Sequence, residues 1–188
     1  MSKAPLLVVS GPSGVGKSTV VREVLTLLPN AWLSVSATTR APRDGEVDAH
    51  DYFFVSDSQF DALIESGGLL EWATYAGNRY GTPLAPVNEH RINGQPVILE
   101  IEVQGARQVR LSAPDAILAF IQPPSWEVLE ERLRGRGTEA PDSLDRRLEI
   151  AASEMAAAAE FDAVVTNATV RSCAEDLIAL VAGPEFSG

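Results

Sequence analysis

The octet Gly11-Pro-Ser-Gly-Val-Gly-Lys17-Ser18 restricts this chain more than any other segment. It follows the apolar run Leu6-Leu-Val-Val9 and leads into Val20-Val-Arg-Glu-Val-Leu25. A buried strand, a glycine-rich turn and a helix, in that order, are the setting of a phosphate-binding P-loop. Glycines let successive backbone N–H groups turn inward around phosphate oxygens, where a side chain would clash or strain the backbone. The positive end of the helix beginning near Lys17 adds to the attraction. Lys17 has the reach for β- and γ-phosphates, and the Ser18 hydroxyl is a ligand for Mg²⁺. Gly11, Pro12, Ser13, Gly14, Val15, Gly16, Lys17, Ser18 and Thr19 are therefore the candidate triphosphate-binding residues. A glycine-rich turn that binds nothing is the competing interpretation, and the flanking strand and helix weigh against it.

Charge sharpens the problem. The 188 residues carry a net charge of −11, which argues against a general nucleic-acid binder, yet a triphosphate site must attract anions. Distribution resolves this. Only Lys3 and Lys17 are lysines, while arginines cluster as Arg40/Arg43, Arg132/Arg134/Arg136 and Arg146/Arg147. Arginine offers a planar donor fork suited to phosphate, so local cationic sites can exist within an acidic surface. The 45% apolar and 22% charged content is that of a globular domain with a real core. Cys173 is the single cysteine, so no internal disulfide is possible and a reducing, cytoplasmic setting is expected. No apolar stretch reaches membrane-spanning length, and Leu6–Val9 is too short for a signal-peptide core.

Strand and helix patterns alternate, which predicts an α/β fold with a parallel sheet. Strands are expected at Leu6–Ser10, Leu33–Ser36, Val97–Ile101, Ile117–Ile121 and Ala163–Thr166. Helices are expected at Lys17–Leu28, Gln104–Leu111, Trp126–Arg134, Leu144–Glu160 and Ala174–Val181. Ser56-Asp-Ser-Gln59 and Ser172-Cys-Ala-Glu175 fit capping boxes. Residues 37–88 break the alternation and look like an insertion with short strands of its own. Residues 135–143 form a polar stretch between two helices, a candidate lid. The expected organisation is one domain, with a core of 1–36, 89–134 and 144–188 around that insertion and lid.

Further blocks carry a resemblance. They are Ser34-Val-Ser-Ala-Thr-Thr-Arg-Ala-Pro-Arg43, Gly45-Glu46, Asp51-Tyr52, Leu70-Glu71-Trp72 and Tyr80-Gly81-Thr82. Leu99-Glu-Ile-Glu-Val-Gln-Gly105 and Arg136-Gly-Thr-Glu139 follow in turn. With the P-loop, from about residue 5 to about 182, the chain resembles the guanylate kinase family of ATP:GMP phosphotransferases. The resemblance implies a P-loop nucleoside monophosphate kinase fold whose insertion binds GMP. It implies that Arg40 and Arg43 hold the GMP phosphate, joined by the hydroxyls of Tyr52 and Tyr80. Ser36, Glu71, Thr82 and Glu102 would line the guanine pocket, with Glu100 near the acceptor and the metal, directly or through water. Arg132, Arg136 and Arg147 would surround the transferring phosphoryl group, and Asn167 would lie beside adenine. Two positions depart from the family pattern. Glu102 stands where many relatives carry Asp, and Ala168 replaces the usual Asp after Asn167.

Elementary chemistry agrees with these assignments. Guanine presents N1–H and an exocyclic NH₂ side by side, which one carboxylate can accept together, while serine and threonine hydroxyls can donate to O6. Adenine would set a lone pair against that carboxylate. Hydropathy by itself offers another picture, with Glu71 a surface acid beside a core Trp72. Glu100 and Glu102 follow the apolar run 96–99, and positions i and i+2 of a strand share a face. A GMP phosphate, with a second pKa of about 6, is anionic near neutrality and needs no general base. His50 and His90 are accordingly expected at the surface. The expected reaction is transfer of the γ-phosphoryl of MgATP to GMP, with positioning and charge neutralisation as its means. Two other functions stay open: a non-catalytic guanylate-kinase-like interaction module, and a P-loop kinase of a ribosyl phosphate. The intact Lys17 and Ser18 weigh against the first, and Ser36, Glu71 and Thr82 as a set against the second.

Overall fold

The computed structural model describes residues 3–135 and 141–182. Its centre is strand β1, Leu6–Ser10, every residue of which is buried. Leu7 and Val9 face one hydrophobic cluster and Leu6 and Val8 another, so the period-two pleat feeds two cores at once. Strands apolar on both faces belong to parallel sheets covered by helices on either side. β2 (Trp32–Leu33), β7 (Val97–Glu100), β8 (Ile117–Gln122) and β9 (Ala163–Thr166) complete that sheet in the order β2-β7-β1-β8-β9, all parallel. On the first face pack α1 (Lys17–Leu27), α5 (Trp126–Arg134), α6 (Pro141–Ala156) and α7 (Val170–Ala182). On the second pack α3 (Leu84–Ile92) and α4 (Val103–Ser112).

A second, smaller sheet lies within residues 37–83. β3 (Ala37–Thr38) pairs parallel with β4 (Phe53–Phe54) and antiparallel with β6 (Asn78–Pro83), and β6 pairs antiparallel with β5 (Leu69–Tyr75). The β5–β6 hairpin turns through Ala76 at φ 48° and Gly77 at φ 79°. Positive φ at both central residues gives the twist that a two-residue hairpin needs. Helix α2 (Asp57–Glu65) opens on a full capping box: the Ser56 hydroxyl accepts from the Gln59 amide, and the Gln59 side chain accepts from the Ser56 amide. The expected box at Ser56 is thus present.

Several boundaries differ from expectation for local reasons. The strand predicted over Leu33–Ser36 stays in the large sheet only through Leu33; by Ala37 the chain has entered the small one. Helix α3 is absent from the sequence prediction, which gave residues 37–88 to an insertion of short strands. Pro83 is the N-cap and Pro86 falls in the first turn, where no intrahelical N–H bond is lost. The capping box predicted at Ser172 is incorrect. Helix α7 starts at Val170, and the Thr169 hydroxyl accepts from the Ser172 amide instead. Helix α6 begins at Pro141, so the last part of the polar stretch 135–143 is helical, and residues 136–140 lie outside the described residues. Cys173 is fully buried in the first turn of α7, and burial pushes its thiol up to about 11. A cysteine so placed acts as a small apolar residue, not a nucleophile.

Replacing Ser56 with alanine removes one half of the α2 capping box. A loss of about 1 kcal/mol in unfolding free energy is expected, measurable as a lower denaturant midpoint at constant slope.

Candidate active site

Because all five strands of the large sheet run the same way, their C-terminal ends meet at one edge, where open α/β sheets bind ligands. The central strand β1 delivers Gly11–Ser18 to that edge. Gly11 has φ 151°, and a Cβ there would lie 2.3 Å from the Ile121 carbonyl oxygen, so the loop leaves the strand too close to β8 for any side chain. Gly14 and Gly16 take φ 83° and 95°, and Gly16 is the left-handed N-cap of α1. Lys17 folds back over the loop, its Nζ 2.5 Å from the Gly11 carbonyl oxygen. Thr19 is exposed in the first turn of α1.

One carbonyl of the loop gathers two braces from behind. The Val15 carbonyl receives the Asn167 amide at 2.8 Å and the Arg132 guanidinium at 3.1 Å. Asn167 is buried just past β9, Arg132 is on α5, and each donates to the loop backbone. Arg147 is half-buried on α6, while Arg136 lies outside the described residues. Glu154, which sequence reasoning overlooked, accepts the Ser13 amide at 3.1 Å from α6. Burial pushes its carboxyl up, the Ser13 N–H and Lys17 oppose the rise, and Glu102 adds to it. No motif marks Glu154; only the fold brings α6 over the loop.

Next to the loop, Ser18 donates to Glu100 at 2.5 Å. Glu100 ends β7, but Glu102 is the N-cap residue of α4, beyond the strand. The expectation that both share one strand face is therefore incorrect, although both line the same cavity. That cavity, about 420 Å³, opens between the two sheets and is also lined by Ser36, Tyr52, Glu71 and Tyr80. Glu71 and Trp72 invert the hydropathic expectation, for the glutamate is 7% exposed and the tryptophan 38%. A buried acid without a cation is costly, so its position calls for a ligand or a partner. Thr82, fully buried opposite it across the β5–β6 pair, donates its hydroxyl at 2.6 Å. Burial pushes the Glu71 carboxyl above the usual range, and the Thr82 bonds only partly offset this.

Arg40 is drawn inward. Its two terminal nitrogens grip Glu46 at 2.8 and 2.9 Å, and the guanidinium stands 5.3 Å from the Tyr52 ring centroid. The Glu46 bond raises the Arg40 pKa still further above its ordinary value and holds the Glu46 carboxyl below the usual range. Arg43 donates its backbone N–H to Glu46, and its side chain is exposed. The Tyr52 and Tyr80 rings meet edge to face at 6.0 Å. His50 is exposed, whereas His90 is half-buried, stacked on Trp32 at 3.9 Å.

A P-loop at the C-terminal edge of a five-stranded parallel sheet, faced by a small sheet that carries a buried carboxylate, defines the P-loop kinase fold. The guanylate kinase family model matches residues 3–182. A guanylate kinase from Thermobifida fusca is 56% identical over 95% of this chain and 91% of its own length. One from Streptomyces kasugaensis is 57% identical over 94% of this chain and 86% of its own. The crystal structure of guanylate kinase from Anaplasma phagocytophilum superposes with a TM-score of 0.74 at 32% identity, covering 97% of this chain and 86% of that one. The chain belongs to the guanylate kinase family.

Gly11→Ala would force a methyl group into the Ile121 carbonyl. A loss of about 3 kcal/mol or more is expected by thermal or chemical denaturation, together with loss of triphosphate binding.

Proposed function

We propose that the chain catalyses reversible transfer of the γ-phosphoryl group of MgATP to GMP, giving ADP and GDP. Membership of the family carries the activity. The single observation that best supports the acceptor is the buried Glu71 carboxylate, which lines a cavity with ample room for a nucleobase. Its two oxygens suit the paired N1–H and NH₂ of guanine and repel the N1 lone pair of adenine. Thr82 already spends its proton on Glu71, which makes it an orienting group and leaves Ser36 as the hydroxyl to donate to O6. Tyr52 and Tyr80 line one wall of the cavity, Arg40 stands against the Tyr52 ring, and with the exposed Arg43 they suit the monophosphate.

On the donor side, the N–H groups of Gly11–Ser18 and the Lys17 ammonium hold the triphosphate. Ser18 and Glu100 offer a hydroxyl and a carboxylate oxygen side by side, the hard donors Mg²⁺ takes when substrate phosphates and water fill its other positions. Among the described residues no cluster of three or more His, Cys, Asp or Glu could hold a metal alone, which suits an ion that arrives with its nucleotide. Bound there, Mg²⁺ would neutralise charge on the phosphoryl oxygens. Arg132 and Asn167 keep the loop in shape through Val15, and Arg147, with Arg136, would supply charge to the transferring group. No side chain need remove a proton, because the acceptor oxygen is already anionic. No described helix is long and apolar enough to cross a membrane. A reducing cytoplasm suits the buried Cys173 thiol.

Lys17→Ala should leave the melting curve nearly unchanged and lower kcat by at least about 10²-fold in a coupled ADP-release assay. Near-full turnover in that variant would exclude the assigned donor site. GMP-dependent ADP release also separates an enzyme from a non-catalytic module, and competition with ribose phosphates separates it from a sugar-phosphate kinase.

Glu71→Gln replaces an acceptor with a donor and should cut kcat/KM for GMP by about 10²-fold or more, with KM for ATP little changed. Burial raises the Glu71 pKa, so the wild-type KM for GMP should climb as pH falls, starting above the ordinary carboxylate range. The variant should lack that acid limb. In the ligand-free protein the sign reverses. An acid whose folded pKa is raised loses stability as pH rises toward that pKa, so Glu71→Gln should melt no lower than wild type at neutral pH.

A further inference from the structure

Strand β5 is the outer strand of the small sheet, and β6 pairs with only one of its edges. An open edge ordinarily leaves N–H and C=O groups unpaired. Here helix α4, which packs on the large sheet, supplies the missing partners from one face. Gly105, Gln108 and Ser112, spaced by three and four residues, line up along that face. The Gln108 side-chain amide donates to the Trp72 carbonyl at 2.8 Å, and its oxygen accepts the Trp72 N–H at 3.1 Å. That two-point exchange is what a residue of a neighbouring antiparallel strand would provide. One turn further on, the Ser112 hydroxyl donates to the Leu70 carbonyl at 2.7 Å.

The Leu70 carbonyl and the Trp72 N–H belong to the two peptide groups that flank Glu71. Both are therefore fixed by α4, while the opposite edge pairs Glu71 with Thr82. The pairing register shifts between Leu69 and Glu71, an irregularity of the kind that re-aims a side chain. Gly105 completes the arrangement. A Cβ at that position would lie 2.8 Å from Glu71 Oε2, so the carboxylate rests against the helix backbone itself.

We propose that Gln108, seconded by Ser112, is a positioning residue for base selection: its amide stands in for a missing β-strand and sets the direction of the Glu71 carboxylate. The proposal rests on Glu71 reading guanine. Gln108 does not touch the cavity and acts only through the strand. Since Glu102, which lines the cavity beside Glu100, caps the start of α4, the base-reading carboxylate is held by the core helix and not by the small sheet alone.

The test compares kcat/KM for GMP and for IMP, which keeps N1–H and O6 but lacks the exocyclic amine. Gln108→Leu preserves bulk and removes both hydrogen bonds. The preference for GMP over IMP should fall about tenfold, through KM for GMP, with KM for ATP and kcat at saturating GMP nearly unchanged. Ser112→Ala should shift the preference the same way by a smaller factor, and Ser112→Thr, which retains the hydroxyl, should restore it; these milder changes decide the matter if Gln108→Leu does not fold. In a Glu71→Gln background Gln108→Leu should leave the preference where Glu71→Gln alone puts it. An unaltered preference in folded Gln108→Leu and Ser112→Ala, or a full tenfold fall that persists in the Glu71→Gln background, would overturn the proposal. If Glu71→Gln alone leaves the preference intact, it is the base-reading role that fails. Sensitivity to Glu71→Gln with indifference to Gln108→Leu refutes only the positioning role.

Discussion

Everything at the proposed catalytic edge depends on strand β1 being buried on both faces. Leu6, Leu7, Val8 and Val9 leave no surface for water, so the strand can only lie in mid-sheet, with β7 on one side and β8 on the other. The chain must then turn at the sheet edge under severe crowding, and Gly11 is the consequence. Once the turn is made, the loop's shape is held from behind, where Asn167 and Arg132 reach the same Val15 carbonyl from different elements. A phosphate cradle built from backbone has few side chains of its own to hold it. Its rigidity is borrowed from β9 and α5.

The small sheet follows another rule. Its principal feature is a carboxylate moved from water into a half-closed cavity while an indole takes the exposed place beside it. Such an exchange opposes stability, since desolvation disfavours the charged acid and leaves part of the Trp72 ring in solvent. Thr82, the helix backbone at Gly105 and the strand edge held by Gln108 share the work of keeping it there. On the proposed base-reading role of Glu71, specificity and stability are thus set against each other at one residue pair.

Much of this was legible in the residues, and the rest was hidden for definable reasons. The P-loop, the parallel core and the Ser56 capping box are local patterns, and each has a spacing that survives folding. Helix α3 was not foreseen; it carries Pro83 at its N-cap and Pro86 in its first turn, and a proline there looks the same on paper as one that breaks a helix. The Ser172 box failed because Thr169, three residues earlier, competes for the same amide. The pairing of Glu100 with Glu102 was foreseen, but for the wrong reason: the strand ends at Glu100, and it is the start of α4 that returns Glu102 to the cavity. Glu154 and Gln108 had no local signature at all. Their partners are far away in sequence, and only the packing of α6 over the loop and α4 along β5 brings them into use.

The bidentate hold of Glu46 on Arg40 has a bearing on which anions can gain entry. A guanidinium left bare would collect chloride or any passing carboxylate and would have to shed it before productive binding. With an internal counter-ion already in the fork, a visitor must displace a tethered carboxylate at two points, which favours a doubly charged, multi-oxygen phosphate over a monovalent halide. On the proposed assignment of Arg40, loading becomes an exchange of partners on a preshaped fork. An acidic protein can in this way keep a receptive site for phosphate amid the salts of a cell.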